Sequence, residues 1–598
     1  MNILYLAKGP PIPARRAGPG VSVLAYSWDA FAAAQASGLD ARPWEDEFPA
    51  DEAPSIIAEA ERFAATWHRD EGRDFTIFAG VSLGAAHEWL LWNLSLLSLF
   101  KFLSALEVSV ARAGAGKIRC ETSLPRPWRA ALESFAQARG LALEWVEHPG
   151  AGRDIYAWQP PPPRPSRTKL LAGRLLDAVS SARGDGGKPR ALVSWYPSLD
   201  GLLDRDDAPF AWTLADFPSK KRVGAALKRG WRLQTEPWSA PAWDDAGRAA
   251  LDAIRSDWGR VRANPAYARS LVFRGTPLLP VLLPALDDLF ETRLEPLAWS
   301  AAETDRLMRQ DPPAVVLLPY DTPPYQRMLA DLARVHGIPS ALLLHGLPFD
   351  VNFPFAERHC DELLVWGPEQ EREYRDSVPP RAARPVGNPG FDRHSDAPRH
   401  VPGPIRRVLV LTRTKWADIL VGSSDFEPER YALAVAAALE EAGPLEAVLR
   451  PHPAESPEYY EDVLAAAGAS LRVSAAGTFI EELGRADLVI SAYSTTLLEI
   501  MLRGKPLLCV NFTRGLDYAA PFDGRWGIDI LRSPEELSRR LSRLVKDPVA
   551  QCAALTAPYA KILAAYAGPC DGRAGDRVLS ALADLARRGR PAPEKTPA

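Results

Sequence analysis

The residues whose types and spacing best suit chemistry lie in SAYSTTLLEIMLRGKP, from Ser491 to Pro506. The run DLVIS reads as a buried strand, and Ser494, Thr495 and Thr496 open a helix that stops at Gly504, Lys505 and Pro506. A strand feeding hydroxyl residues at a helix start offers an anion free backbone N–H groups, side-chain hydroxyls and the positive end of the helix dipole. Glu499, just past the first turn, can reach the two hydroxyls of a ribose if that anion is a nucleotide phosphate. An ordinary capped βα unit has the same pattern, so the neighbouring elements decide.

Two further strand ends repeat the theme. In AVLRPHPAE, Arg450 and His452 follow a buried run, and Pro451 and Pro453 fix the turn that carries the imidazole. In RRVLVLTRTKW, Arg413 and Lys415 follow VLVL directly. Ligands of open α/β sheets bind outside the carboxyl ends of the strands, so the three ends are expected to converge on one anion. A fourth strand, PSALLL, ends at His345, and Gly346 lets a ligand approach the backbone there. With an unperturbed pKa of about 6.5, His345 suits removal of a proton from an acceptor hydroxyl; the alternative is a buried histidine satisfied by a carbonyl. Asp321, in LLPYDTPP, ends the preceding strand and is expected either to orient His345 or to act as the base itself.

The order VLVLTRTK, LRPHP, DLVISAYSTTLLEIMLRGKPLL resembles the carboxyl-terminal nucleotide-binding domain of glycosyltransferases of the B fold (GT-B). Upstream, LLLHGLPF, ELLVWGPEQ and PVGNPGFD look like the end of the amino-terminal domain and the crossover in surface-carbohydrate enzymes. Downstream, YAGPCDGRAGDRVLSAL looks like their closing segment. The likeness covers residues from about 310 to 585 and extends to CDP-glycerol glycerophosphotransferases, His-Pro sialyl- and Kdo-type transferases and UDP-N-acetylglucosamine 2-epimerases. It implies an α/β chain with two Rossmann-like domains facing a cleft and an elaborated amino-terminal domain. It further implies that His452 contacts the donor nucleotide, that Ser494 and Thr495 bind its phosphate oxygens, that Glu499 holds the ribose and that His345 faces the donor. The short acidic-Gly motif that supplies the base in sialyltransferases of this fold has no copy here.

The activity expected on this likeness is metal-independent, inverting transfer of a CMP- or UDP-linked sugar to a glycan or lipid-linked acceptor, with no cofactor beyond the donor. Glycerophosphotransfer from a CDP donor, UDP-sugar 2-epimerisation and a non-catalytic scaffold in glycan assembly are the alternatives. An acceptor-side patch is suggested by KKRVGAALKRGWR, Lys220–Arg232, which carries six basic residues and no acid. If helical, it puts Lys221, Lys228 and Arg232 on one face, toward a phosphorylated acceptor or an anionic membrane. Asp204 and Asp206 form a D-x-D that reads as a solvent loop rather than a metal site.

The elements that must position these residues fit the composition. Of the 598 residues 47% are hydrophobic and 24% charged, which is a globular balance, and a net charge of -4 gives no reason to expect nucleic acid. Five scattered cysteines without C-x-x-C spacing point to a reducing cytoplasm, and the basic segment adds the expectation of peripheral association at the inner face of the membrane. MNILYLAKG is a strand rather than a signal peptide, and the apolar stretch Trp89–Leu106, broken by Asn93, Ser95, Ser98 and Lys101, reads as a buried helix. Strands are expected at NILYLA, TIFAG, KIRC, LALEWVE, ALVSWY and AVVLLPY. The domains are expected at 1–400, with a possible subdivision in the Pro-rich stretch near 158–168, and at 401–586, with a disordered tail over 587–598.

Overall fold

In the computed structural model, the described residues are 2–7, 20–124, 126–147, 187–215, 228–233, 245–348, 358–395, 400–413, 427–453, 455–474, 477–512 and 519–589, with Leu175, Gly224 and Ala226 singly. The Pro-rich stretch near 158–168, Lys221, Lys415 and residues 590–598 lie outside them, whereas Arg587 and Arg588, expected in the disordered tail, end the last helix.

Short runs of Val, Ile and Leu that are buried on both faces build parallel sheets, because crossover helices cover each side. The described residues make three. The first contains β1 (Asn2–Ala7), β2 (Val21–Ala25), β3 (Ala41–Pro43), β4 (Ala115–Glu121) and β5 (Ala142–Val146), in the order β3-β2-β1-β4-β5. The second contains β6 (Arg190–Val193), β7 (Ala211–Leu214), β8 (Arg232–Leu233), β9 (Val315–Leu318), β10 (Ser340–Leu343), β11 (Glu362–Val365) and β12 (Ala383–Pro385), in the order β8-β7-β6-β9-β10-β11-β12. The third contains β13 (Arg407–Leu411), β14 (Glu446–Arg450), β15 (Arg472–Val473), β16 (Leu488–Ser491), β17 (Leu507–Val510) and β18 (Ile530–Leu531), in the order β15-β14-β13-β16-β17-β18. Each sheet thus runs outward from its first strand and then switches to its fourth. That is the Rossmann order, with a crevice at the switch. The fold is α/β as the sequence implies. The second and third sheets are the facing pair, and the elaboration of the amino-terminal region is a Rossmann-like sheet of its own.

Helices fill the faces. The apolar stretch becomes part of a buried helical run that ends in α1 (Leu97–Ala113), with Phe100, Phe102 and Leu106 buried. Among the described residues no helix is long and apolar enough to cross a membrane. The helix α2 (Arg126–Arg139) links β4 to β5. Between β8 and β9, α3 (Asp245–Arg262) and α4 (Leu294–Gln310) pack against the first unit, where Trp258 stacks on Phe290 at 4.8 Å and the Tyr267 hydroxyl donates to the Trp67 carbonyl at 2.9 Å. One apolar cluster runs from Leu4 and Leu6 through Trp258 and Leu282 to Val316 of β9 and Val489 of β16, so the three sheets share a core.

Next in the chain come α5 (Pro324–Val335), α6 (Glu427–Ala442), α7 (Thr496–Leu502), α8 (Tyr559–Tyr566) and α9 (Ala574–Arg588). The last does not stay with the third sheet. Its Val578, Leu579 and Leu582 bury against Val193, Leu317 and Leu343, covering a face of the second sheet. Asp392 accepts hydrogen bonds from the Ala574 and Gly575 N–H groups at 3.1 and 2.9 Å and fixes the start of α9. At Gly367 a Cβ would lie 2.0 Å from the Ala565 carbonyl oxygen, which explains the glycine of ELLVWGPEQ by close backbone approach.

Two sequence expectations are corrected. TIFAG is not a core strand: Ile77–Phe78 pairs antiparallel with Val81–Ser82 in a two-residue ribbon, because Ala79 and Gly80 both take positive φ and turn the chain. The basic segment is not one helical face. Gly230, at φ 75°, follows the last helical residues; Trp231 is buried, and Arg232 opens an edge strand. Arg232 pairs with Asp311 at 3.1 Å, beside Arg190 at the amino end of the second sheet, whereas Lys228 stays exposed on the preceding turn.

Candidate functional site

Strand register brings the three strand ends of the third sheet level. Leu411 of β13 pairs with Arg450 of β14 on one side and Ser491 of β16 on the other, across the switch point. Arg413, two residues past β13, is buried, and its charge acts on Tyr493 and Cys509 beyond β16.

The loop carrying His452 is tied to that edge by a carboxylate the sequence reading quoted but did not assign. Glu455 is buried; it accepts the His452 N–H at 3.0 Å, the Tyr460 hydroxyl at 3.1 Å and the Thr412 hydroxyl. Thr412 Oγ1 in turn accepts the His452 N–H at 2.9 Å. Burial holds the His452 pKa below its ordinary value, because the imidazolium would lose hydration. Arg450 turns aside: its guanidinium pairs with Glu482 at 2.8 Å and reaches the Gly477 carbonyl at 3.3 Å.

In the hydroxyl segment, Ser494 Oγ accepts the Thr496 N–H at 3.3 Å and donates to Thr496 Oγ1 at 3.1 Å, a local turn just before the short helix α7. Thr495 Oγ1 accepts the Leu347 N–H at 2.9 Å, so it bridges the third sheet to the loop of His345 and still has its own proton to donate. A Cβ on Gly346 would meet the same oxygen at 3.2 Å, which accounts for the glycine. The Tyr493 hydroxyl adds a second bridge, to the Pro348 carbonyl at 3.3 Å.

Glu499 faces the crossover segment. It accepts from Arg393 at 2.7 Å and from His394 at 3.0 Å, while Arg503 donates to the other ring nitrogen of His394 at 3.0 Å. Burial pushes its carboxyl up, yet the His394 hydrogen bond and the Arg393 charge outweigh that and hold it below the ordinary value.

On the opposing edge, His345 follows β10. Its Nδ1 donates to the Pro319 carbonyl at 2.9 Å, which leaves the lone pair on Nε2. Burial lowers its pKa, with the Pro319 carbonyl opposing. The sequence reading offered Asp321 as the orienting partner; the Pro319 carbonyl holds that place, and Asp321, buried, accepts the His359 and Cys360 N–H groups at 2.6 and 2.9 Å. The sequence reading also missed two rings beside His345. Tyr196 and Tyr320 each lie 5.1 Å from its ring centroid and 5.8 Å from each other. Both stood in strands it had marked, ALVSWY and AVVLLPY, as the first tyrosine past the strand.

Of the residues proposed for the acceptor side, Arg232 lies at the far end of the second sheet from His345 and Lys228 on the turn before it. Asp204 and Asp206 pair with Arg229 at 3.6 Å each, in a turn. What the arrangement can do chemically is hold an anion against one edge and present a neutral imidazole base from the other.

No protein-family model and no curated protein matches the chain. Among solved structures it is similar to the UDP-GlcNAc 2-epimerase from Neisseria meningitidis bound to UDP-GlcNAc, at 10% identity over 67% of this chain and all 100% of that one, with a TM-score of 0.41. It is similar to Anabaena Alr3699/HepE in complex with UDP-glucose, at 10% identity over 66% and 100% of the two chains, with a TM-score of 0.39. The wall teichoic acid polymerase TagF is 11% identical over 70% of this chain and 94% of its own, with a TM-score of 0.38. The fold class of the chain, a facing pair of Rossmann-like units with a third beside them, rests on its own sheet orders.

Proposed function

We propose that the chain is a B-fold glycosyltransferase that moves a sugar from a nucleotide-activated donor, CMP- or UDP-linked, to a glycan or lipid-linked acceptor of the cell surface. The observation that carries the reading is the bridge from Thr495 Oγ1 to the Leu347 N–H at 2.9 Å, which joins the carboxyl edges of two Rossmann-ordered sheets. On one side stand Arg413, His452 and the Ser494 to Thr496 hydroxyls, a set suited to a phosphate. On the other stands His345 with its Nε2 lone pair.

In the step proposed, the acceptor O–H gives its proton to His345 Nε2 as its oxygen bonds to the anomeric carbon. The bond from that carbon to the donor phosphate oxygen breaks, its electron pair leaving with the nucleotide. Attack from the face opposite the leaving group inverts the centre. Cationic and hydroxyl groups fixed in advance would stabilise the departing charge, so a metal would be dispensable. The enzyme would work in the cytoplasm at the inner face of the membrane.

The test is calorimetry of the purified chain with CMP, CDP, UMP and UDP, with and without EDTA, repeated on His452→Ala. The reading expects one nucleotide to bind with or without EDTA, and roughly tenfold weaker in the variant, the loss of one charge-assisted hydrogen bond. Silence across the panel would return the chain to a non-catalytic scaffold in glycan assembly.

A further inference from the structure

The second sheet has a switch point of its own, between β6 and β9, and its carboxyl edge is lined by rings. Tyr196 follows β6, Tyr320 follows β9 and His345 follows β10; these strands are neighbours, with Val193 paired to Leu317 and Leu317 to Ala341. The three rings stand edge to face, with interplanar angles of 83°, 69° and 83°. All three are half-buried. The Tyr196 hydroxyl has no hydrogen-bond partner among the described residues, and burial holds its proton on by raising its pKa. Burial likewise lowers the pKa of His345, so both it and the Tyr196 hydroxyl favour the uncharged form. Arg232, the cation once suggested for the acceptor, is spent on Asp311 at the other end of the sheet.

An aromatic body with a wet polar tip suits a ligand that is apolar on one face and hydroxylated at its rim. A pyranose ring has that form: axial C–H bonds make its face, and its hydroxyls point outward. An acyclic polyol phosphate has no such face, and the three rings offer its charge no cation. We infer that Tyr196, Tyr320 and His345 form the acceptor subsite, and that it takes the uncharged pyranose end of an acceptor. The sugar ring lies against Tyr196, whose hydroxyl bonds one rim oxygen, and a second rim hydroxyl meets His345 Nε2. The proposal rests on the transferase reading, in which His345 takes the proton of that hydroxyl. It makes Tyr196 the residue that sets acceptor specificity.

The experiment is saturation-transfer NMR on the full chain with methyl pyranosides of glucose, galactose and N-acetylglucosamine, and with glycerol 1-phosphate as the acyclic charged probe. Wild type, Tyr196→Phe and Tyr196→Ala are compared, each with a nucleotide titration on the same sample. The expected result is a signal from at least one pyranoside and none from glycerol 1-phosphate. Affinity should fall by roughly tenfold in Tyr196→Ala, the worth of one aromatic contact, and by less in Tyr196→Phe, which keeps the ring and the packing. Nucleotide affinity should be unchanged in both variants. Equal pyranoside signals in wild type and Tyr196→Ala, binding of glycerol 1-phosphate instead, or no pyranoside signal in wild type would overturn the subsite. So would nucleotide binding lost together with the pyranoside. Pyranoside binding without any nucleotide binding would sustain the subsite and sink the transferase.

Discussion

His345 is the residue on which the proposed chemistry turns, and its environment makes a definite prediction about pH. The Pro319 carbonyl fixes the tautomer with Nε2 unprotonated, and burial lowers the pKa because an imidazolium there would be poorly solvated. A base works only while unprotonated. The depressed pKa therefore keeps the site competent as pH falls, and the acid limb of kcat/KM should lie below about 6.5, the value of a free histidine. His345→Ala should lower kcat by about 10²–10⁴ while nucleotide affinity stays within about twofold, because a general base contributes in the transition state rather than to ground-state binding. A variant with unchanged turnover would remove His345 from the mechanism. At this scale the sequence was informative about residue types at strand ends, since a strand's carboxyl end in an open sheet is a position that can be read locally. It was silent about partners. Glu499 meets Arg393 and His394, more than a hundred positions away, and Arg450 turns to Glu482; no local pattern encodes such pairings.

Among the elements, the strands at NILYLA, ALVSWY, AVVLLPY, VLVL and DLVIS were legible as short apolar runs bounded by Gly, Pro or charge, and KIRC and LALEWVE as short runs of apolar and charged residues beside a helix. TIFAG failed for the same reason in reverse: two apolar residues before a turn resemble a strand but are too few to pair into a sheet. The glycine at 230 ends the helical residues before Arg232, which is why the basic residues do not share one face. The contact between α8 and the start of the β11 crossover gives a prediction at this scale. Gly367 has an ordinary backbone conformation, so its need is space alone, with the Ala565 carbonyl oxygen 2.0 Å from where a Cβ would be. Gly367→Ala should destabilise the chain by about 3 kcal/mol, at the upper end of overpacking changes, because rigid backbone is slow to yield. A denaturation midpoint equal to wild type would show that α8 can slide away.

At the scale of the whole molecule, the described residues form three Rossmann-ordered sheets where the sequence pointed to two Rossmann-like domains, and the reason is physical. Strand order is a property of which edges pair, and the residues of β1 to β5 carry no mark of the sheet they will join. The continuous core from Leu4 to Val489 predicts that the units unfold together. Urea titrations followed by tryptophan fluorescence and by far-ultraviolet circular dichroism should superimpose as one transition. Two separated transitions would show that the shared core is energetically divisible. The Arg430 guanidinium adds a polar tie, meeting both carboxylate oxygens of Asp46 at 3.2 and 3.0 Å and so linking α6 of the third unit to the first. The placement of α9 bears on how the protein is made. The strands of the second sheet are synthesised between residues 190 and 385, but the Val578, Leu579 and Leu582 that seal one of its faces come off the ribosome nearly two hundred residues later. Until then Val193, Leu317 and Leu343 lack part of their cluster, with Leu199, Leu202 and Leu203 already in place. The middle of this chain thus waits for its end to complete its core, an interval in which transiently exposed apolar surface favours aggregation.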